Sequence, residues 1–380
     1  MRSFKVSTNI NHANIFKIAS CCVDTYEEGE NFLSQDYNHS SCSSLMFLGS
    51  KEVIPEDKKS LFLKLDDPDV ALKVGDIILI EPTGLATLLY EVNSFSNAVF
   101  LTERCNCKCL MCPQVPKNSD SDDYLDLSLK TIALLDSRTE MLGITGGEPT
   151  LVWNDLIDVL KACRENIPKA SIQLLTNARI LKDIERVREL VSADNNNLVV
   201  CIPLYADVSS IHDEIVGIKG AFWETIEGIY NLERFGVPVE IRTVITKLNY
   251  KRLPLWSEFV YRSFPFTSHI ALMGMEPLGL ALKNLNQVWI DPLDYIPLLK
   301  NAVKILNRRN MNLSIYNHQL CTLPQSLWKF AKKSISEWKN VFFTECAYCV
   351  VRLNCGGFFQ SSEYVKSRGI KRIVQVNKET

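Results

Sequence analysis

The sequence predicts an α/β protein: a partial (β/α)6 TIM-like barrel, preceded by a small β-rich N-terminal module and followed by a C-terminal module with cysteines of its own. Three observations lead there. From about residue 97, short apolar runs alternate with segments of helical period. Before that, apolar runs are broken by Asp, Pro and Gly. Seven of the 13 cysteines gather in two short windows, 105–112 and 346–355.

Length and charge bound the rest. A chain of 380 residues with 46% hydrophobic residues, 42 Lys+Arg and 44 Asp+Glu has the material for a large core, which excludes collagen-like, low-complexity and bulk-disordered classes. The formal net charge of -2 supplies no global positive field, so no nucleic-acid partner is expected. Residues 1–16 lack the continuous apolar run of an export signal, and no stretch approaches the roughly 18 apolar residues of a membrane span. A cytoplasmic protein with no membrane contact is expected.

Taken in order, residues 1 to about 40 read as polar and weakly patterned. Between 45 and 92, runs such as Leu61-Phe62-Leu63-Lys64-Leu65 and Asp76-Ile77-Ile78-Leu79-Ile80 read as strands of a small module. The pattern then becomes serial. Strands are expected at 98–101, 141–144, 171–175, 198–204, 239–245 and 270–273. Between and after them lie helix faces marked by Leu156, Val159, Leu160 and Cys163, by Ile184, Val187, Leu190 and Val191, by Trp223, Ile226, Ile229 and Tyr230, and by Tyr295, Leu298, Leu299, Ala302 and Leu306. Serial βα construction requires parallel strands with right-handed crossovers. About six units are countable, fewer than the eight of a closed barrel, so a partial barrel with its chemistry at the C-terminal strand ends is expected. Domain boundaries follow at 1–95, 96–310 and 311–380.

Cysteines without an export signal argue against a disulfide framework and for thiolates that bind metal. Cys163 and Cys201 sit in apolar periodic segments and are assigned to the core as small hydrophobes, while Cys21, Cys22 and Cys42 are scattered. The segment Cys105-Asn106-Cys107-Lys108-Cys109-Leu110-Met111-Cys112 contains the spacing Cys-x3-Cys-x2-Cys through Cys105, Cys109 and Cys112. Three thiolates on a 4Fe-4S cubane leave one iron without a protein ligand. A closed tetrahedral zinc site needs a fourth thiolate, with Cys107 as its candidate. Spacing alone leaves both open. One strand later comes Gly146-Gly147-Glu148-Pro149, where two glycines permit close backbone approach and a carboxylate can receive a ligand's ammonium group.

Together these residues resemble the radical SAM superfamily, whose pattern is a Cys-x3-Cys-x2-Cys loop after the first barrel strand and a Gly-Gly-Glu-Pro turn after the second. The resemblance implies a radical SAM barrel in which Cys105, Cys109 and Cys112 hold a 4Fe-4S cluster whose open iron is chelated by S-adenosylmethionine. It also implies that the turn Gly146, Gly147, Glu148 and Pro149 contacts the methionine moiety and that Cys107 is not a ligand. Two positions depart from the pattern: Met111 stands where the family often has an aromatic, and Pro203 where many members have a serine. Thr176, Asn177 and Arg242 are further candidates for binding the cosubstrate; for Arg242 a barrel salt bridge with Glu240 is an equal alternative. His212, beside Asp213 and Glu214, reads as a structural histidine in preference to a catalytic one.

Cys346-Ala347-Tyr348-Cys349 and Cys355-Gly356-Gly357-Phe358-Phe359 give a second metal-ligand pattern, with Cys321 as the fourth thiolate and glycines that let backbone amides approach sulfur. Zinc or iron-sulfur chemistry would satisfy it. The arrangement resembles the shortened auxiliary-cluster modules of peptide-maturing radical SAM enzymes, which implies a second, auxiliary 4Fe-4S cluster. Longer phrases, among them Leu101-Thr102-Glu103-Arg104-Cys105 and Met273-Gly274-Met275-Glu276-Pro277, resemble the C-type radical SAM maturase of His-Xaa-Ser peptide systems. That resemblance implies a ribosomally made precursor peptide as substrate, oxidative crosslinking of its side chains, a companion radical SAM maturase and an external electron donor. Two competing readings are a radical SAM enzyme acting on RNA or a small molecule, and a zinc-binding structural or interaction protein.

Overall fold

The computed structural model describes residues 2–8, 14–19, 32–34, 45–48, 62–65, 72–194 and 197–376; Cys21, Cys22 and Cys42 lie outside them. The chain divides into two compact units. One comprises Met1–Phe100, Asp123–Ile144 and Asp158–Ile172; the other comprises Leu101–Asp122, Thr145–Ile157 and Gln173–Thr380.

The first unit opens with a closed barrel of seven strands, β1 (Arg2–Thr8), β2 (Asn14–Ala19), β3 (Phe32–Ser34), β4 (Leu45–Leu48), β5 (Phe62–Leu65), β6 (Ile77–Ile80) and β7 (Leu85–Tyr90), in the order β1-β5-β4-β3-β2-β6-β7. The barrel is mixed: β1 pairs antiparallel with β5 and β7, whereas β2, β3 and β4 pair in parallel. The expectation of weak patterning is therefore corrected for Arg2–Thr8 and Asn14–Ala19. In β1, Ser3 and Lys5 are exposed while Phe4 and Val6 are buried, a period-2 alternation that packs with Phe16, Ile18, Ile78 and Ile80. The buried Asp76 carboxylate accepts the amides of Lys73 (2.7 Å) and Val92 (2.9 Å), and burial pushes its carboxyl above the usual range.

Seven further strands form one sheet: β8 (Ala98–Phe100), β9 (Met141–Thr145), β10 (Ser171–Leu175), β11 (Leu198–Pro203), β12 (Val239–Val244), β13 (His269–Met273) and β14 (Leu313–Tyr316), ordered as in the chain. Their register is parallel, with Ile202 opposite Ile241, Ile241 opposite Ile270 and Leu272 opposite Ile315. The helices are α1 (Tyr124–Ala133), α2 (Trp153–Asn166), α3 (Ile184–Ala193), α4 (Ser209–Val216), α5 (Ala221–Arg234), α6 (Leu253–Ser263), the single turns α7 (Leu280–Lys283) and α8 (Leu285–Val288), and α9 (Pro292–Arg308). Asp123, Asp183 and Asp291 cap α1, α3 and α9 by accepting a backbone amide of the first turn.

The partial barrel is thus present, with one strand more than the sequence disclosed. β14 has four residues among asparagines, too few for a period, and its identity rests on pairing with β13, more than forty residues upstream. The α5 face also differs. Phe222, Ile226, Ile229 and Leu232 point inward, while Trp223 is 64% exposed and Tyr230 is 39% exposed. Both apolar stripes satisfy helical spacing, and only packing selects one. Cys163 and Cys201 are buried in the core as expected. No helix among the described residues is long and apolar enough to cross a membrane.

Candidate active site

The first cysteine loop lies wholly within the second unit and is fastened on three sides. At its base, Thr102 Oγ1 and the Glu103 amide donate to Asp120 Oδ1 (2.8 and 2.6 Å) and Arg104 Nε donates to Asp120 Oδ2 (3.0 Å), tying the end of the loop to its beginning. Along its flank, the amides of Lys108 and Leu110 donate to the carbonyls of Val216 (2.8 Å) and Ile215 (2.9 Å), groups that the C-terminus of α4 leaves without helical partners. At its far end, Leu280 N donates to Cys112 O (2.8 Å) and Asn284 Nδ2 to Leu110 O (2.9 Å). Met111 is buried against Ile215, Ala281 and Val288, so the position where an aromatic was expected serves the core.

Held this way, Cys105, Cys109 and Cys112 are partly exposed, whereas Cys107 is 3% exposed. The Cys107 sulfur accepts N–H groups from Asn177 (3.4 Å) and Arg179 (3.7 Å). Its hydrogen bond with Cys105 favours the thiolate, but Cys109 and burial outweigh it and push the thiol up to about 12. Cys107 and then burial push the Cys105 thiol upward, and burial raises that of Cys112. A soft cation that bound such crowded thiols would replace their protons.

The Gly-Gly-Glu-Pro turn packs directly on the loop's base. Gly147 N donates to Thr102 O (2.6 Å) and Glu148 N to Arg104 O (2.8 Å). A Cβ on Gly146 would stand 2.7 Å from Thr102 O, and one on Gly147 would overlap Arg104 O outright. The glycines therefore let this chain approach itself. Glu148 is buried, and its carboxylate is held by protein donors: Oε1 accepts from Thr150 N (3.1 Å), Thr150 Oγ1 (2.7 Å) and Thr176 Oγ1 (2.5 Å), and Oε2 from Asn177 N (2.7 Å). Burial raises its carboxyl while these hydrogen bonds pull it down. In this geometry Glu148 is the post to which Thr176 and Asn177 are tied. Pro149 is buried and opens the short 3-10 turn that follows.

Arg242 takes the alternative anticipated for it. Its Nε is paired with Glu240 Oε1, and Glu240 Oε2 meets His269 Nδ1 at 2.7 Å. His212 is buried, its Nδ1 accepts the Tyr205 amide (3.2 Å), and burial holds its pKa down at about 4, so it is a neutral structural histidine at pH 7. Sequence reasoning missed Asp120, Asn106 and Arg179. Asn177 Nδ2 donates to Asn106 Oδ1 (2.6 Å), and Arg179 donates to Asn106 O (2.7 Å) while pairing with Glu224 (2.6 Å). No local signal marks Asn106 and Arg179, since more than seventy positions separate Asn106 from Asn177 and Arg179.

The remaining cysteines meet elsewhere in the same unit. Cys321, Cys346, Cys349 and Cys355 line one cavity with Phe342, Val351, Phe358 and Ile373. The amide that approaches the Cys355 sulfur belongs to Leu320 (3.5 Å); in this geometry the glycines after Cys355 do not supply it. Burial raises the Cys321 and Cys346 thiols. Among the described residues, no three His, Cys, Asp or Glu side chains converge as ligands of a single ion.

The family model of the radical SAM superfamily matches residues 99–254, the span from β8 to the start of α6. Residues 99–254 are similar to the radical SAM superfamily. An uncharacterised protein of Methanocaldococcus jannaschii is 26% identical over 214 residues, covering 55% of this chain and 68% of that protein. The Fe-coproporphyrin III synthase of Methanosarcina barkeri is 28% identical over 158 residues, covering 40% of this chain and 38% of the synthase. Among solved structures, Streptococcus suis SuiB bound to S-adenosylmethionine superposes with a TM-score of 0.46 at 18% identity, over 57% of this chain and 49% of SuiB. The chain thus spans well under two thirds of the synthase and of SuiB. A radical SAM domain implies a 4Fe-4S cluster and S-adenosylmethionine. The three partly exposed sulfurs at the exit of β8 are of the kind and number that such a cluster takes, and the backbone of the Gly146–Pro149 turn lies against that loop.

Proposed function

We propose that this chain is a radical SAM enzyme that reductively cleaves S-adenosylmethionine and oxidatively modifies, by crosslinking, side chains of a ribosomally made precursor peptide. The observation that carries the reading is the presence of two cysteine sites in one compact unit, three partly exposed sulfurs at the exit of β8 and four lining a separate cavity near the C-terminus.

When bound, the cluster and cosubstrate supply a 5'-deoxyadenosyl radical able to remove hydrogen from an unactivated C–H bond. The protein's part is positional. Cys105, Cys109 and Cys112 present sulfur from a loop fastened by Asp120, α4 and Leu280; the turn from Gly146 to Pro149 lies against that loop; and Thr176 and Asn177 fix Glu148 beneath it. Such fixed geometry places a target carbon close and keeps other hydrogen donors away. In this reading Cys321, Cys346, Cys349 and Cys355 are the residues that would hold an auxiliary 4Fe-4S cluster, which would supply one-electron redox chemistry there. A His-Xaa-Ser precursor, a companion maturase and an external electron donor complete the proposal.

A second reading, a small-molecule substrate, is favoured by the Fe-coproporphyrin III synthase among the relatives. One experiment separates them. Anaerobically reconstituted protein is incubated with S-adenosylmethionine, a reductant, and either a His-Xaa-Ser peptide, a porphyrin precursor, a tRNA pool or nothing, and 5'-deoxyadenosine and product mass are measured. Peptide-dependent release with loss of a hydrogen pair from the peptide supports the proposal. Stimulation by the porphyrin precursor alone, or a colourless zinc-containing preparation, ends it.

A further inference from the structure

Lys108, Lys219, Lys247 and Lys283 are exposed, and none of them enters an ion pair among the described residues. Each lies on a connection that leaves the C-terminal end of a strand: Lys108 after β8, Lys219 after β11, Lys247 after β12 and Lys283 after β13. Backbone contacts join these connections into one rim. Lys108 N donates to Val216 O (2.8 Å), and a Cβ on Gly217, two residues before Lys219, would stand 3.1 Å from Lys108 Cβ. On the other side, Leu280 N, at the start of the turn that carries Lys283, donates to Cys112 O (2.8 Å), and Lys247 N donates to Val288 O (2.8 Å) at the end of α8.

The acids of the same connections are largely engaged. Glu103 is paired with Lys117 (2.6 Å), Asp207 with Arg252 (2.6 Å) and Glu276 with Lys339 (3.3 Å). Asp213 accepts the amides of Gly220 (2.6 Å) and Phe222 (2.8 Å). Glu214 on α4 is exposed near Lys219 and leaves the lysines in excess. The rim also carries apolar side chains: Val115 is 44% exposed and Leu278 43%. The stretches that bear them touch, since a Cβ on Gly279 would overlap Pro113 O.

This mixture selects a partner. Unpaired ammonium groups beside apolar side chains complement an acidic peptide that also carries apolar residues, and the field they create draws such a peptide in. A nucleic acid is disfavoured, because single strands are held by bases stacked on aromatic rings. None of the exposed aromatic side chains, Phe95, Trp223, Tyr230, Trp338, Tyr348 and Tyr364, lies on these four connections.

We propose that this lysine rim binds an acidic, leucine- or valine-bearing segment of the substrate peptide, outside the residues that react, and so lays the peptide across the strand exits. The inference rests on the precursor-peptide reading and adds the charge of the segment that is recognised.

The test uses the full chain and a fluorescein-labelled peptide of alternating Glu and Leu, with its Gln-for-Glu counterpart and an oligouridylate as further probes, and reads anisotropy at low and high salt. The parent should bind the Glu peptide about tenfold more tightly than the Gln peptide, and salt should erase most of the difference. Lys219→Glu, Lys283→Glu should weaken the Glu peptide about tenfold with an unchanged melting temperature, and Lys219→Gln, Lys283→Gln should fall between variant and parent. Equal affinity for the two peptides, undiminished binding in the charge-reversed variant, or an oligouridylate that binds more tightly than the Glu peptide and is lost in that variant overturns the inference. The two failures are separable. A His-Xaa-Ser peptide that stimulates no 5'-deoxyadenosine release removes the peptide reading and the inference with it, whereas release that is equally fast with and without an acidic extension on that peptide removes only the rim.

Discussion

Thr176 donates its hydroxyl to Glu148 across 2.5 Å of buried space, joining the end of β10 to the turn after β9. The adjacent Asn177 amide reaches the other oxygen of the same carboxylate at 2.7 Å, and its side-chain amide continues to Asn106 in the cysteine loop. Three strand exits are thereby referred to one buried carboxylate.

Removing the hydroxyl isolates part of that arrangement. Thr176→Val leaves Glu148 buried with one donor fewer and should destabilise the chain by about 1–3 kcal/mol, whereas Thr176→Ser should restore most of the loss. Urea denaturation of the three proteins decides it; equal midpoints for the valine variant and the parent would show that the hydrogen bond is dispensable.

Gly147 is constrained by contact with the chain itself. Gly147→Ala drives a methyl group into the Arg104 carbonyl one residue before Cys105. The turn must move, at a cost of about 1–3 kcal/mol, and iron retention at the first site should fall. The same substitution at Gly236, where an added Cβ meets nothing within 4 Å and only the left-handed backbone (φ 67°) is strained, should leave iron unchanged and serves as the control for destabilisation without a clash at the loop.

The first site can be counted by cysteine. Parent protein prepared anaerobically should contain about eight iron per chain if two 4Fe-4S clusters are present. Cys109→Ala should lose about half of it together with S-adenosylmethionine cleavage, while Cys107→Ser should retain both. Loss of cluster in Cys107→Ser would make that buried sulfur a ligand and return the zinc-type four-thiolate arrangement to consideration. Cys349→Ala should lose the other half and spare cleavage.

Two buried histidines set a pH dependence. His318 donates Nδ1–H to Tyr316 O (2.8 Å), which leaves Nε2 to accept the Tyr295 hydroxyl (2.8 Å), and burial holds its pKa at about 4, as it does for His212. Between about pH 4 and the ordinary histidine value near 6.5, the unfolded chain binds more protons than the folded one, so stability falls as pH falls through this window. Each histidine contributes at most about 3 kcal/mol to that loss. Thermal denaturation from pH 7 to pH 4.5 should show a shallower decline in His318→Gln than in the parent; parallel curves would show that His318 is not the group being charged.

The sequence made some parts of this protein legible and left others hidden, for definable reasons. The first six strands of the sheet and the helices α2, α3, α5 and α9 showed themselves because burial imposes a period on adjacent residues, and Cys163 and Cys201 could be placed in the core from the same signal, whereas α1, α4 and α6 were not read. The seventh strand was hidden because four residues cannot display a period, and α5 was turned by one stripe because Phe222 and Trp223 are both apolar and only the packed neighbours distinguish them.

At the candidate site, the chain's own spacing determined that Cys105, Cys109 and Cys112 share one loop, that two glycines stand where backbone must approach backbone, and that a second group of thiols follows near residue 350. Tertiary structure alone decided that the glycines face Thr102 and Arg104, that Glu148 is claimed by Thr176 and Asn177, that Arg242 answers Glu240, and that Cys321 joins Cys346, Cys349 and Cys355 around one cavity. Spacing within a loop is fixed by bond geometry and is written residue by residue. Which donor meets which acceptor across strands depends on register and burial, and those exist only once distant segments have packed.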